Sequence, residues 1–281
     1  MALRRYGNRD AAVYDGNQLV SIKDYEVVKK LGQGGFGTTY LAIKDGKEYV
    51  VKEMKSKDAS DEYSALTSLG YNCIKHINCP VELIKSSGDV SYLITLFIPG
   101  KDLDYYVKNT VSQKFINDMM KQLLSAISFI HSEGIAHRDI KPGNIMYVEP
   151  TNTFFLIDFG IACFPPKGGR GIYCPLACTG TPLFMHPSYL EQCNLNRSDA
   201  SFFEILKRND RFALGVTFFL IIEKTYPWQV ITGRDGYSTY NYDAPVPFRR
   251  TTLEQQEIIR MLIETGHDNI NEIRQFAAQL Q

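Results

Sequence analysis

The stretch His137-Arg138-Asp139-Ile140-Lys141-Pro142-Gly143-Asn144 places a carboxylate, a lysine and an amide within one short loop. Asp139 can accept the proton of an attacking hydroxyl, and Asn144 can offer an amide oxygen to a hard cation such as Mg²⁺. Nineteen residues after Asp139, the apolar Ile157 leads into Asp158-Phe159-Gly160, a second oxygen ligand at a strand end. Upstream, Gly32-Gln33-Gly34-Gly35-Phe36-Gly37 supplies Gly-x-Gly-x-x-Gly, and Lys52 follows Tyr49-Val50-Val51. That glycine spacing also serves dinucleotide binding, which needs a helix straight after the last glycine and an acidic residue about 20 positions on. Here a strand follows, so a turn over phosphates with a lysine on the next strand fits better; a ligand-free glycine hairpin is the remaining alternative. A base, two oxygen donors, a lysine and a glycine turn are what phosphoryl transfer needs, because catalysis there is mostly positioning and charge neutralisation.

The elements that must position these groups are legible as patterns. Tyr25–Leu31, Thr38–Ile43 and Glu48–Met54 are β-prone runs, and Asp45-Gly46 between the last two is a strong hairpin signal, since both turn positions need φ > 0. Ser60–Leu69 suits a short amphipathic helix, and Val81–Lys85 and Val90–Ile98 return to strand character before Pro99-Gly100. Beyond Gly100 the pattern turns helical. Ser112–His131 sets Phe115, Met119, Leu123, Ala126, Ile127 and Ile130 on one stripe. Phe154–Ile157 reads as a strand, Asp210–Glu223 as a central helix, and Leu253–Glu264 and Asn269–Leu280 as closing helices. Residues 1–22, mixed and polar, read as an N-terminal extension rather than a core element.

Composition narrows the function classes. The 281 residues are 44% hydrophobic and 22% charged, and 31 Lys+Arg balance 31 Asp+Glu. Zero formal charge removes the basic field expected of a nucleic-acid or anionic-membrane binder. The longest apolar run, Phe212 to Ile222 with Thr217 allowed, has 11 residues, against about 20 for a bilayer crossing. No apolar stretch follows Arg4, Arg5 and Arg9, so a secretory signal is not expected and a cytoplasmic or other intracellular location is. Reduced thiols are then the default for Cys73, Cys79, Cys163, Cys174, Cys178 and Cys193. A zinc site using Cys174 and Cys178 with Cys163, His186 or Cys193 is the rival reading.

From about Asp24 to about Trp228 these ordered motifs resemble the eukaryotic-type serine/threonine protein kinases. The resemblance implies an α+β, bilobal protein-kinase-like fold: a small antiparallel β-rich N-lobe over 23–100 and a larger helical C-lobe over 101–281. It further implies that ATP is bound by residues that include Leu31 and Gly32, with Gly34, Gly35 and Gly37 over the phosphates and Lys52 on the α/β-phosphates. Thr95 takes the gatekeeper position, Leu96 to Gly100 with Ile98 form the adenine hinge, Met146 lies under adenine and Asp102 near the ribose. Asp139 is the base, Asn144 and Asp158 hold Mg²⁺, with Mn²⁺ as the alternative ion, and Lys141 marks the serine/threonine type. Glu62 is the expected partner of Lys52, with Leu66 four positions on as a spine residue; Glu53 is the rival, although strand alternation points it to the opposite face.

Gly180-Thr181-Pro182 to Ser188 resembles the end of the activation loop, and Asp210 resembles the buried aspartate that bonds the catalytic loop; Asp199 is a decoy for it. Choosing Asp210 implies an insertion around Asn194–Lys207. The sequence departs from the family at Ser188, normally glutamate, and in lacking an arginine over Glu264–Asn269; Thr39 and Val50 replace the usual valine and alanine around adenine. Ala177 stands where related kinases often carry the activating phosphate, so activity independent of loop phosphorylation is expected, with Thr179 and Tyr173 as the realistic exceptions. His76, His131 and His267 are expected to be solvent-facing or at helix ends, and His137 to be packed. The function implied is ATP-dependent transfer to serine or threonine of protein substrates, with a lean to threonine from Ile161 after Asp-Phe-Gly. A nucleotide-binding pseudokinase scaffold and a small-molecule kinase are the competitors. Neither nucleic acid nor a membrane span is expected as a partner.

Overall fold

Seven antiparallel strands in the order β1-β2-β3-β4-β5-β7-β6 form the first sheet of the computed structural model, which describes residues 12–70, 76–86, 88–165, 172–175, 178–193, 199–234, 236–264 and 269–280. The strands are β1 Ala12–Asp15, β2 Gln18–Ile22, β3 Tyr25–Gly34, β4 Gly37–Lys44, β5 Lys47–Lys55, β6 Pro80–Lys85 and β7 Val90–Leu96. The chain divides into two units, Met1–Tyr71 with Asn78–Pro99, and Asn72–Ile77 with Gly100–Gln281. This sheet and the helix α1, Ser56–Ser68, make up the first unit.

The turn between β4 and β5 has φ of 50° at Asp45 and 72° at Gly46, the primed-turn geometry that the Asp-Gly pair favours. Two sequence expectations need correction here. Residues 12–22 are not outside the core: β1 and β2 extend the sheet, and Leu19 and Ile22 are fully buried with Tyr25, Tyr40, Val51, Ile84, Tyr92 and Ile94. Their polar composition belongs to the solvent side of a hairpin, so only alternate residues carry the signal. Helix α1 starts at Ser56, one turn before the expected Ser60, because Ser56 N–H donates to Asp89 O at 2.9 Å and its hydroxyl accepts from Ser91 Oγ at 2.9 Å.

The second unit is mainly helical. Its elements are β8 Lys101–Asp102, α2 Leu103–Val107, α3 Gln113–Ser132, β9 Ile145–Val148, β10 Thr153–Leu156, α4 Pro187–Gln192, α5 Ala200–Glu223, β11 Gln229–Thr232, β12 Ser238–Asn241, α6 Leu253–Ile263 and α7 Ile270–Ala277. Strands β10, β9 and β8 form a small sheet, and β11 pairs with β12. Ser112 caps α3 by accepting from Phe115 N–H at 3.1 Å, and the apolar stripe expected of that helix is its buried face.

Helix α5 is the centre of this unit and begins ten residues before Asp210. Asp199 is its N-cap, accepting from Phe202 N–H at 2.9 Å. Of the segment read as an insertion, residues 200–207 are therefore the first turns of the helix, and Asn194 to Ser198 lie outside the described residues. The carboxylate of Glu223 at the far end of α5 accepts from the N–H groups of Arg249, Arg250 and Thr251 at 2.9 to 3.1 Å, which fixes the chain leading into α6.

Candidate active site

In the first unit, the glycine turn joins β3 to β4, with Gly34 opposite Gly37 in register. Gly37 has φ +141°, and an added Cβ would lie 2.0 Å from Glu53 O, so the sheet itself demands glycine there. At Gly32, Gly34 and Gly35 an added Cβ meets no atom within 4 Å, so packing within the chain gives no reason for glycine at these three positions. Lys52 sits on β5, and its Nζ donates to Glu62 Oε2 at 2.7 Å. Glu62 is buried on α1, at 4% exposure, where an ionised carboxylate requires such a partner. Glu53 faces the other side of the sheet, accepting from Tyr14 Oη at 3.0 Å. Thr95 is buried and accepts from Asn78 Nδ2 at 3.2 Å, Ile98 is buried, and Leu31 and Leu96 are exposed apolar side chains.

In the second unit, Asp139 is held from several sides. Lys141 Nζ and Asn144 Nδ2 donate to Asp139 Oδ2 at 2.7 and 2.9 Å, and Thr181 Oγ1 donates to Oδ1 at 2.7 Å. Lys141 Nζ also donates to Thr181 Oγ1 at 2.9 Å. A second bond from Asn144 Nδ2, to Asp139 O at 2.8 Å, commits the amide nitrogen to the loop and turns the amide oxygen to other use. Ile157 N–H donates to Asn144 O at 3.0 Å, tying the approach to Asp158 to the same loop, and Asp158 takes φ 64°. Asp102 caps α2 by accepting from Tyr105 N–H at 3.1 Å and lies opposite Met146 in the β8–β9 register.

The loop's backbone is set from below by α5. Asp210, fully buried, accepts from His137 N–H at 2.8 Å, Arg138 N–H at 2.7 Å and His131 Nε2 at 2.9 Å. His131 is at the end of α3, as expected, yet it is buried rather than solvent-facing, and burial pushes its pKa down, so the neutral ring donates to Asp210. His76 is half-buried with Nδ1 3.0 Å from Phe154 O, and His267 lies outside the described residues. His137 packs edge-on against Phe159, with Nε2 3.0 Å from Ile157 O and Nδ1 accepting from Asp139 N–H at 3.2 Å. It orients the loop and is not placed to act as the base.

The cysteines overturn the expectation of reduced thiols. Cys163 is joined to Cys174 and Cys178 to Cys193, and Cys79 is likewise disulfide-bonded. An antiparallel bridge between Phe164 and Tyr173 brings the neighbouring Cys163 and Cys174 face to face, which residue spacing alone did not reveal. A sulfur in a disulfide has no thiolate to offer zinc, and among the described residues no group of three or more His, Cys, Asp or Glu gathers as a metal site. At the end of the loop, Ser188 Oγ lies 2.7 Å from His186 Nδ1, while His186 N–H donates to Asn209 Oδ1 at 2.9 Å. Asn209 thus ties α4 to α5. Glu264–Asn269, where the sequence has no arginine, falls mostly outside the described residues. Sequence reasoning also missed Tyr189 beside Arg138; a tyrosine after Pro187-Ser188 carries no periodic signal.

The protein kinase domain family model matches residues 25–276, and the chain belongs to that family. It is 33% identical over 181 residues to a zebrafish (Danio rerio) maternal embryonic leucine zipper kinase, covering 60% of this chain and 26% of that protein. Over 236 residues it is 29% identical to the probable serine/threonine-protein kinase fhkB of Dictyostelium discoideum, covering 80% of this chain and 20% of that protein. It is 32% identical to serine/threonine-protein kinase D of Synechocystis, covering 72% of this chain and 41% of that protein. The chain thus spans between a fifth and under half of the length of these relatives. Among solved structures, the Cydia pomonella granulovirus kinase PK-1 shares the fold, with a TM-score of 0.68 at 20% identity over 92% of this chain and 93% of that one. No helix among the described residues is long and apolar enough to cross a membrane.

Proposed function

We propose that the chain is an ATP-dependent protein kinase that transfers phosphate to serine or threonine hydroxyls of protein substrates. The observation that carries this reading is Asp139 held by Lys141, Asn144 and Thr181. Both oxygens of Asp139 accept hydrogen bonds, so its carboxylate is fixed in orientation, and it takes the proton of the incoming hydroxyl as the phosphoryl group transfers. Lys141 supports the serine/threonine assignment: it bonds Asp139 and Thr181 together, at the place where a short aliphatic hydroxyl must reach the base. The buried Ile161 adds the lean toward threonine.

The residues present fit nucleotide and metal. Gly32, Gly34 and Gly35 have no packing reason to lack a side chain, which suits close backbone approach to phosphate oxygens. Lys52, aimed by Glu62, would meet the α/β-phosphates, and Thr95, Leu96, Ile98, Asp102 and Met146 would contact the nucleoside. Asn144 Oδ1 and the Asp158 carboxylate would hold Mg²⁺, which when bound neutralises charge on the phosphates. A radiolabel transfer assay on mixed protein substrates, followed by phosphoamino-acid analysis and run beside Asp139→Asn, tests the reading. Label on serine and threonine that is lost in the variant supports it; phosphotyrosine as the main product, or undiminished transfer by the variant, overturns it. Binding of nucleotide without transfer favours the scaffold reading.

A further inference from the structure

Arg138 stands one residue before Asp139, and its guanidinium is buried, at 3% exposure. A buried cation must be met by acceptors. Its Nη1 donates to Ile161 O at 2.9 Å, and its Nη2 donates to Thr179 Oγ1 at 3.1 Å and Tyr189 Oη at 2.6 Å. The guanidinium carbon also lies 5.7 Å from the centre of the Tyr189 ring. Tyr189 is fully buried, and its hydroxyl donates to Thr179 O at 3.3 Å. Arg138, Thr179 and Tyr189 therefore close a triangle of hydrogen bonds immediately beside Asp139.

The covalent ties fall at the corners of that triangle. Cys178 adjoins Thr179, and Cys193 N–H donates to Tyr189 O at 2.8 Å, so the Cys178–Cys193 disulfide joins the two segments that supply acceptors to Arg138. Cys163 exchanges two backbone bonds with Ala136, at 2.8 and 2.9 Å, two residues before Arg138. Gly180, with φ +139°, lets the segment pass so close that an added Cβ would sit 2.8 Å from Arg138 O. The surrounding core of Ala136, Cys163, Met185, Tyr189, Phe202 and Leu206 packs the whole assembly against α5.

We propose that Tyr189 is a positioning residue for the transfer reaction. Through Arg138 it fixes the loop that carries Asp139, and the Cys178–Cys193 disulfide holds it there, so the segment is ordered without a phosphate on Thr179 or Tyr173. This rests on the kinase reading above. Removing the Tyr189 hydroxyl leaves the Arg138 cation short of one acceptor, and the loop loses a fixed orientation rather than a substrate contact.

The test is a set of initial-rate measurements on the oxidised chain after phosphatase treatment, with mass spectrometry showing no phosphate on residues 158–193. Wild type, Tyr189→Phe, Arg138→Met, the double variant and Asp139→Asn are compared below their melting transitions. Tyr189→Phe is expected to lower kcat roughly tenfold with KM for nucleotide unchanged. The double variant is expected to be no slower than Arg138→Met alone, because the tyrosine acts through the arginine. Thr179→Val, which leaves the core intact, should show the same dependence on Arg138 with a smaller loss, and carries the test if Tyr189→Phe does not fold. Wild-type kcat in Tyr189→Phe, or losses that add to that of Arg138→Met, overturns the proposal while leaving the kinase reading standing. Wild-type turnover no greater than that of Asp139→Asn overturns both.

Discussion

Lys52 in the first unit and Asp139 in the second are the two charges to which the proposed function gives the largest parts, and they are restrained in different ways. Lys52 is steered by Glu62, which rides on α1, a helix packed against β5, β6 and β7. Asp139 takes hydrogen bonds on both oxygens from three side chains, in a loop whose backbone Asp210 grips from a buried helix. An ion pair between a strand and a helix can be re-aimed by a small shift of the helix. The Asp139 network cannot move without breaking several bonds together, which suits the part of a base proposed for it, where proton transfer depends on sub-ångström placement.

The largest effect should come from the rigid side of this contrast. Asp139→Asn keeps the size of the side chain but turns one of its two acceptor oxygens into a donor NH2 and removes the proposed base, and should cut kcat by at least about a hundredfold with nucleotide affinity largely retained, read by radiolabel transfer and nucleotide titration. Lys52→Met should follow closely, with a fall of about a hundredfold in kcat/KM from lost charge on the phosphates. Glu62→Gln, which keeps a hydrogen bond and removes only the charge, should cost about tenfold by the same assay. If Glu62→Gln proves as damaging as Lys52→Met, the pair is as rigid as the Asp139 network and the contrast fails.

Two smaller effects sharpen the comparison. Burial, with Arg208 and Arg211 nearby, pushes the pKa of His186 down to about 4, so the folded protein holds this ring neutral while an unfolded chain takes up a proton below about 6.5. Stability should therefore be full above pH 6.5 and decline as pH falls toward 4, by about 2 kcal/mol, with the decline blunted in His186→Gln. Thermal melts across that range check it. Last, Glu53→Gln should leave transfer within twofold of wild type, since Glu53 faces Tyr14 on the other side of the sheet; a large loss would reassign the partner of Lys52.

How much of this was legible in the sequence depended on whether a feature is local. The Asp45-Gly46 turn, the stripe of α3 and the His137 to Asn144 string each carry their own signal in neighbouring residues, and each stands where the pattern put it. The fold class and the Asp210 bonds followed from ordered motifs. What stayed hidden was set by distant partners. Asp199, which lacks the glycine five positions on that follows Asp210, is rightly not the acid that bonds the loop, but its part as the cap of α5 shows only once the length of that helix is known. The Cys163–Cys174 disulfide goes with a bridge between Phe164 and Tyr173, and Tyr189 depends on an arginine 51 residues away.

The hairpin β1–β2 has a bearing on where the folding unit ends. Likeness to the family begins at residue 25, but burial does not, because Leu19 and Ile22 are at 0% exposure against the sheet and Tyr14 reaches Tyr92 Oη at 2.6 Å. A fragment cut at the family's own limit would uncover this layer and forfeit on the order of 5 kcal/mol of apolar burial, as much as many domains have in reserve. The thermodynamic boundary of this kinase domain therefore lies upstream of its homology boundary. Residues upstream of the family match are thus ones this sheet needs to stay folded.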